Sequence, residues 1–348
     1  MSQVPADDSF GVLGALPRHV MAHVPTPLEP MANLSRQLGG PPLLVKRDDC
    51  TGLAFGGNKV RQLEFYFGEA LAAGADTVLI TSAVQSNYVR TAVAFARRLG
   101  MRCLGQLEER VPSPGPLYHQ SGNVLLDRLM GAELHSYPVG EDEAGADAAV
   151  YALAEQVRSE GGVPYVIPLA PGHPPLGSVG YVLAARELVD QVAVAGLDQV
   201  HVFLGSGSAA THAGLLWGLR ALGSEIAVTG VCVRRDAAAQ AARVASRLAG
   251  LDTLLQRPLK VPDADIRLID SMLAPGYGRL NRPTREAIHL TASSEGLLLD
   301  PVYTGKVMAA LIEAVRSGGL DGRDAAIFLH TGGQPALFAY DEDLFGEN

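Results

Sequence analysis

The chain predicts an α/β fold, with parallel sheets covered by helices on both faces, and three observations carry that expectation. From residue 60 onward, short β-rich runs alternate with segments whose apolar residues recur at helical spacing. Glycines stand where the helical patterns stop, as at Gly74 and Gly100. At 348 residues, 47% of them hydrophobic and 19% charged, the chain is an ordinary globular composition long enough for two domains.

Taken in order, Val60, Leu63, Phe67 and Leu71 mark a first helix that closes at Gly74. DTVLIT (76–81) is a strand, and a helix through Val89, Val93, Ala96 and Leu99 follows it. MRCLGQL (101–107) is the next strand, then come a helix over 121–130, the strand ELHSYP and a polar helix over 143–160. PYVIPLA (164–170) is a further strand, and the second half repeats the rhythm. Helices are expected over 177–191, 211–222, 236–249, 283–295 and 304–317. Strands are expected at QVHVFLG (199–205), AVTGVCV (227–233), GLLLDP (296–301) and AAIFLH (325–330). Ligands of such sheets gather at the carboxyl ends of the strands.

Composition narrows the function. Lysines and arginines number 28 against 37 acidic residues, a net charge of −9 with no basic cluster, so nucleic acid is not an expected partner. No apolar run approaches the roughly 20 residues of a membrane helix, and the N-terminal stretch lacks the basic start of a secretory leader. Cys50, Cys103 and Cys232 lie far apart with no CxxC, which points to a reducing cytoplasm and away from a metal site or disulfide framework.

Three segments hold candidate chemistry. FLGSGSAATHAGLL (203–216) runs from strand through a Gly/Ser loop into a helix, and its freed N–H groups form an anion cradle with hydroxyls from Ser206, Ser208 and Thr211. A tight turn that simply needs small residues is the alternative. TSAVQSNYVR (81–90) gathers Gln85, Ser86 and Asn87 at a helix start, suited to a carboxylate or to plain N-capping. In AFGGNKVRQLEF (54–65), Lys59 follows Gly56, Gly57 and Asn58 at a helix N-terminus. The helix dipole and partial burial favour its free amine, which can condense with an aldehyde, and the glycines leave room for a ligand. A nucleophilic lysine, a phosphate cradle and a carboxylate-binding turn are the parts of a pyridoxal phosphate enzyme.

These segments, with KRDD (46–49), APGYG (274–278), EGLLLDPVYTGK (295–306) and HTGG (330–333), resemble in sequence and order the D-cysteine desulfhydrase / 1-aminocyclopropane-1-carboxylate (ACC) deaminase family, from PTPLEP (25–30) to the C-terminus. The resemblance implies a fold-type II pyridoxal phosphate enzyme, tryptophan synthase β-like, with two domains that each hold a twisted, mostly parallel sheet flanked by helices. A small domain of residues 59–171 is expected inside a large one of 1–58 and 172–348, with LAPGHPPLG (169–177) at the crossing. By motif, Lys59 looks like the Schiff-base lysine, with Asn58 beside it, and Asn87 like the partner of the cofactor's phenolic oxygen. Ser86 and Gln85 look like substrate-carboxylate and proton-handling groups, with Tyr88 next to them where a desulfhydrase usually has histidine. Ser208, Ala209, Ala210 and Thr211 resemble the phosphate loop, and Tyr277 and Tyr303 the two active-site tyrosines. ACC deaminases carry a glutamate toward the ring nitrogen where this chain has Thr304, and Thr331 stands in HTGG.

That substitution implies β-elimination from a small sulfur-containing amino acid, D-cysteine or L-cysteate, giving pyruvate and ammonia. HPPLG (173–177) and SGNVLLDRL (121–129) resemble L-cysteate sulfo-lyase versions. Arg279 is a candidate sulfonate contact or a solvated arginine. ACC deamination is the alternative within the family, and a non-catalytic pyridoxal phosphate carrier or a nucleotide-dependent dehydrogenase the alternatives outside it. A carrier has no use for Ser86 and the tyrosines, and a dehydrogenase needs a dinucleotide fingerprint that Gly205-Ser206-Gly207 does not complete. The resemblance also implies a homodimer.

Overall fold

A computed structural model of the chain describes residues 8–170 and 172–345, and its strands form two sheets. The smaller is all-parallel, in the order β5-β4-β3-β6, from β3 (Thr77–Ala83), β4 (Arg102–Glu108), β5 (Glu133–Tyr137) and β6 (Pro164–Ile167). The larger runs β1-β2-β10-β7-β8-β9, from β1 (Leu28–Pro30), β2 (Leu43–Lys46), β7 (Val200–Ser206), β8 (Ala227–Cys232), β9 (Arg267–Ile269) and β10 (Ala325–Leu329). Only its edge strand β1 is antiparallel.

Parallel neighbours need crossover segments, and helices supply them. In chain order these are α1 (Ala32–Leu38), α2 (Asn58–Ala72), α3 (Asn87–Arg98), α4 (Gly122–Leu129), α5 (Glu143–Ser159) and α6 (Val179–Val194). They continue as α7 (Ala210–Ala221), α8 (Ala237–Leu254), α9 (Arg282–Glu295), α10 (Thr304–Arg316) and α11 (Asp341–Phe345). Strand alternation sorts the two faces of the larger sheet. Along β10, Ala326 and Phe328 pack with α9 and α10, while Ile327 and Leu329 pack with α6 and α7. No described helix is long and apolar enough to cross a membrane.

Expectation and structure differ at several elements. GLLLDP is not a strand: Leu299 is buried without a sheet partner, and the Asp300 carboxylate accepts the N–H groups of Val302, Tyr303 and Thr304 at 2.8–2.9 Å, starting α10 instead. PYVIPLA pairs only as far as Ile167. Strands β1, β2 and β9, three or four residues each, are too short to show a period.

A buried ionic cluster fixes the start of α2. Arg61 donates to Asp48 at 3.0 Å through two nitrogens and to Glu187 at 2.9 and 3.0 Å, and Lys46 also pairs with Glu187. Burial alone would raise the Asp48 carboxyl, but Arg61 and Lys46 outweigh it and hold it below the usual carboxylate range. Every charge here has a partner, as burial requires. Lys59 lies two residues before Arg61, so the cluster sets where its side chain begins.

Candidate active site

The residues just beyond the carboxyl ends of β3, β4, β7, β8 and β10 line one cleft between the two sheets. Lys59, Ser86, Asn87, Tyr88, Ser208, Ala209, Thr211, Tyr277, Tyr303, Thr331 and Asn58 all border it. Strand ends thus supply much of the lining, and the starts of α2, α5 and α10 and the Tyr277 loop supply most of the rest.

Lys59 is half-buried, and its ammonium donates to the Gln62 amide oxygen at 3.1 Å with the Tyr88 ring 5.0 Å away. Burial, with added repulsion from Arg247, lowers the amine to about 8, so a tenth or so of it is free at pH 7. The glycines before it have a different reason from the one expected. A Cβ on Gly56 would sit 2.2 Å from the Asp49 carbonyl oxygen, and one on Gly57 2.9 Å from that of Thr331. They let the chain cross itself rather than admit a ligand.

The loop between β7 and α7 is built to receive an anion. Among the described residues, the N–H groups of Gly207, Ser208 and Ala209 meet no protein acceptor outside the sheet ladder. Ala209 is held at φ +67, a left-handed conformation costing an alanine on the order of 1 kcal/mol and typical of functional loops. Thr211 Oγ1 accepts from the Asn58 and Gln62 amides, each at 2.9 Å, which leaves only its proton to offer the cleft. Ser206 is a correction: its hydroxyl is buried against His212 at 3.2 Å and Gln240 at 2.8 Å, below the loop. Ala210, the first residue of α7, does not border the cleft.

At the start of α3, Ser86 Oγ caps the helix by accepting from the Tyr88 and Val89 N–H groups, both at 3.1 Å. It also borders the cleft, so both readings of this turn hold at once. Asn87 has its carbonyl end held by Arg90 at 2.7 Å and Asn123 at 3.2 Å, which turns its amide N–H groups to the cleft. Gln85 faces the other way. Its amide nitrogen donates to the carbonyls of Tyr118 and Ser121, and its oxygen accepts from the Asn123 N–H.

Tyr277 and Tyr303 share a hydrogen bond of 2.8 Å between their hydroxyls, their rings edge to face at 6.1 Å. Burial raises both phenols, so the pair is neutral and keeps one proton to donate. Two other expected residues lie elsewhere. The Thr304 hydroxyl donates to Asp300 at 2.6 Å and accepts that residue's N–H at 2.7 Å, fully engaged in starting α10. Arg279 donates to the Pro112 carbonyl at 2.6 Å outside the cleft lining.

Sequence reasoning missed the charged rim. Arg110, paired with Glu108 at 2.6 Å, stands 5.9 Å from the Tyr277 ring. Glu143, the first residue of α5, receives Arg234 and Arg235 at 2.6 Å and Arg243 at 2.9 Å from the larger sheet's side, joining both halves across the cleft. Burial opposes its ionisation, yet the three guanidiniums hold it below the usual range. Arg234 and Arg235 directly follow AVTGVCV, a strand-end signal available in the sequence.

Comparison with known proteins adds the chemistry. A family model described as pyridoxal-phosphate dependent enzyme matches residues 20–332. D-cysteine desulfhydrase of Salmonella paratyphi C (strain RKS4594) is 43% identical over 94% of this chain and 97% of its own. That of Salmonella typhi is 42% identical with the same coverage. The crystal structure of an ACC deaminase homologue superposes with a TM-score of 0.84 at 34% identity, over 97% of this chain and 98% of that one. O-ureido-L-serine synthase, at 18% identity and a TM-score of 0.64 over 97% of both chains, shares the fold. A lysine amine poised near neutrality, a loop of open N–H donors and these matches agree, and the chain belongs to the pyridoxal-phosphate dependent enzyme family.

Proposed function

We propose that this protein is a carbon–sulfur lyase that β-eliminates a small sulfur-containing amino acid, D-cysteine or L-cysteate, to pyruvate, ammonia and sulfide or sulfite. The residues present fit the cofactor: Lys59 would hold its aldehyde carbon, the Gly207–Ala209 N–H groups and the Thr211 proton its phosphate, and the Asn87 amide its phenolic oxygen. Pyridoxal phosphate, when bound, draws electrons from an amino acid's Cα and so acidifies the α-hydrogen.

The chain's own groups divide the remaining work. Ser86 has both lone pairs on backbone N–H groups, so it can only donate, which suits a substrate carboxylate and leaves Lys59 as the base for the α-proton. The neutral Tyr277–Tyr303 pair is placed to give its spare proton to the leaving sulfur. One observation favours elimination over ACC deamination. Among the described residues, Glu143 is the one carboxylate lining the cleft, and three arginines hold it, so no free carboxylate faces a ring nitrogen. Thr331 borders the cleft and Thr304 does not, so Thr331 is the hydroxyl that would meet the ring nitrogen.

The holoenzyme offered D-cysteine, L-cysteine, L-cysteate, β-chloro-D-alanine and ACC tests this reading. Pyruvate from D-cysteine or L-cysteate is expected, and 2-oxobutyrate from ACC with no pyruvate from the others would reject it. A homodimer, which the family resemblance implies, and a cytoplasmic location, which the dispersed cysteines suggest, are checked by sedimentation and fractionation.

A further inference from the structure

Lys306 is fully buried on the first turn of α10, where a cation opposes the helix dipole. Among the described residues no carboxylate lies within ion-pair reach of it, and burial lowers its amine to about 8. Such a group is expensive to keep: a methionine of similar volume would fill the space without stranding a charge. What methionine lacks is the capacity to donate several hydrogen bonds from one atom.

Lys306 uses that capacity on one short loop. Its Nζ donates to the carbonyls of Leu273 and Gly276, each at 3.0 Å, and the next residue is Tyr277. The loop's own backbone bonds are few: the Gly276 N–H donates to the Leu273 carbonyl and the Leu273 N–H to that of Asp270, each at 2.9 Å, and neither ties the loop to α10. Gly276 at φ +143 and Gly278 at φ +65 flank Tyr277 in conformations that leave the chain little intrinsic preference. Asn281 ties the loop's first half from α9, donating to the carbonyls of Met272 at 3.2 Å and Ala274 at 2.8 Å, and leaves the Gly276 end beside Tyr277 to Lys306. Tyr303, the hydroxyl partner of Tyr277, sits one turn before Lys306 at the start of the same helix. Both tyrosines are therefore referenced to a single turn of α10, one by chain connection and the other through the ammonium.

We propose that Lys306 is a positioning residue for the reaction: it clamps the Leu273–Gly276 loop onto α10 so that the Tyr277 and Tyr303 hydroxyls meet in the cleft. This rests on the proton-donor role proposed above for that pair, and the test separates the two. Holoenzyme carrying Lys306→Met is compared with wild type by backbone hydrogen exchange and by D-cysteine turnover, alone and with Tyr277→Phe. Exchange over residues 273–280 is expected to rise at least tenfold, with kcat falling at least tenfold and KM changing less than twofold. Adding Lys306→Met to Tyr277→Phe is expected to change kcat less than twofold, because the tyrosine it positions is already disabled. If Lys306→Met does not fold, Lys306→Gln, a shorter side chain that keeps an N–H donor, carries the same measurements with the same sign. Unchanged exchange over 273–280 overturns the clamp whatever the turnover. Raised exchange with kcat unaltered by Lys306→Met and by Tyr277→Phe keeps the clamp but rejects the tyrosine pair as the proton donor.

Discussion

Thr211 is where the cradle and the lysine meet, so Thr211→Val is the sharpest perturbation of the site. Its hydroxyl accepts two amide donors at 2.9 Å, from Gln62, which is 2% exposed, and from Asn58, which is half-buried at the cleft. Valine keeps the shape and removes the acceptor. A buried amide left without a partner costs about 1–3 kcal/mol, and the cleft-facing one about half a kcal/mol to 1 because water can reach it. The expected loss is thus about 1.5–4 kcal/mol, a urea midpoint lower by about 1 M for a chain of this size. Gln62 also accepts from Lys59, and the lost hydroxyl proton is a phosphate donor, so cofactor affinity should drop about tenfold for roughly 1.4 kcal/mol. Thr211→Ser keeps the hydroxyl and should lose no more than about 1 kcal/mol for its missing methyl. The measurements are urea unfolding and cofactor titration of all three proteins. Equal midpoints and affinities for the valine and serine variants would refute the reasoning.

The remaining predictions address the lysine, the rim and the misplaced arginine. Cofactor-free protein should capture pyridoxal phosphate with a rate that rises about tenfold per pH unit up to about 8 and then levels, since only the free amine of Lys59 reacts; stopped-flow absorbance reads it. Glu143→Gln leaves the mostly buried guanidiniums of Arg235 and Arg243 without a counter-ion, and Arg234 with only the exposed Glu141, and should cost about 3 kcal/mol in urea unfolding, less at high salt. Arg279→Ala should leave KM for L-cysteate within twofold, because that side chain lies outside the cleft lining and donates to the Pro112 carbonyl.

Local pattern and long-range pairing explain which features the sequence displayed. The helix–strand alternation was readable because strands such as β3 and β7 are long enough to show their period and end in turn residues. GLLLDP looked like a strand because buried leucines carry the same signature with or without a sheet partner; Asp300 as a helix start was the overlooked cue. Lys59, Asn87 and the tyrosine pair were legible through motif order. Gln85 and Thr304 belong to the same motifs, yet their polar atoms are consumed by Asn123 and Asp300, and no spacing reveals which way a side chain turns. The Glu143 clamp joins residues 91 to 100 positions apart, a pairing set only when the two halves meet.

The measurement closest to the central claim is product stoichiometry from D-cysteine with wild type and Lys59→Ala. Pyruvate and sulfide in equal amounts are expected from wild type, and neither product nor the violet absorption of lysine-bound cofactor from Lys59→Ala. Pyruvate formation by Lys59→Ala at the wild-type rate, or wild-type turnover of ACC alone, would contradict that claim.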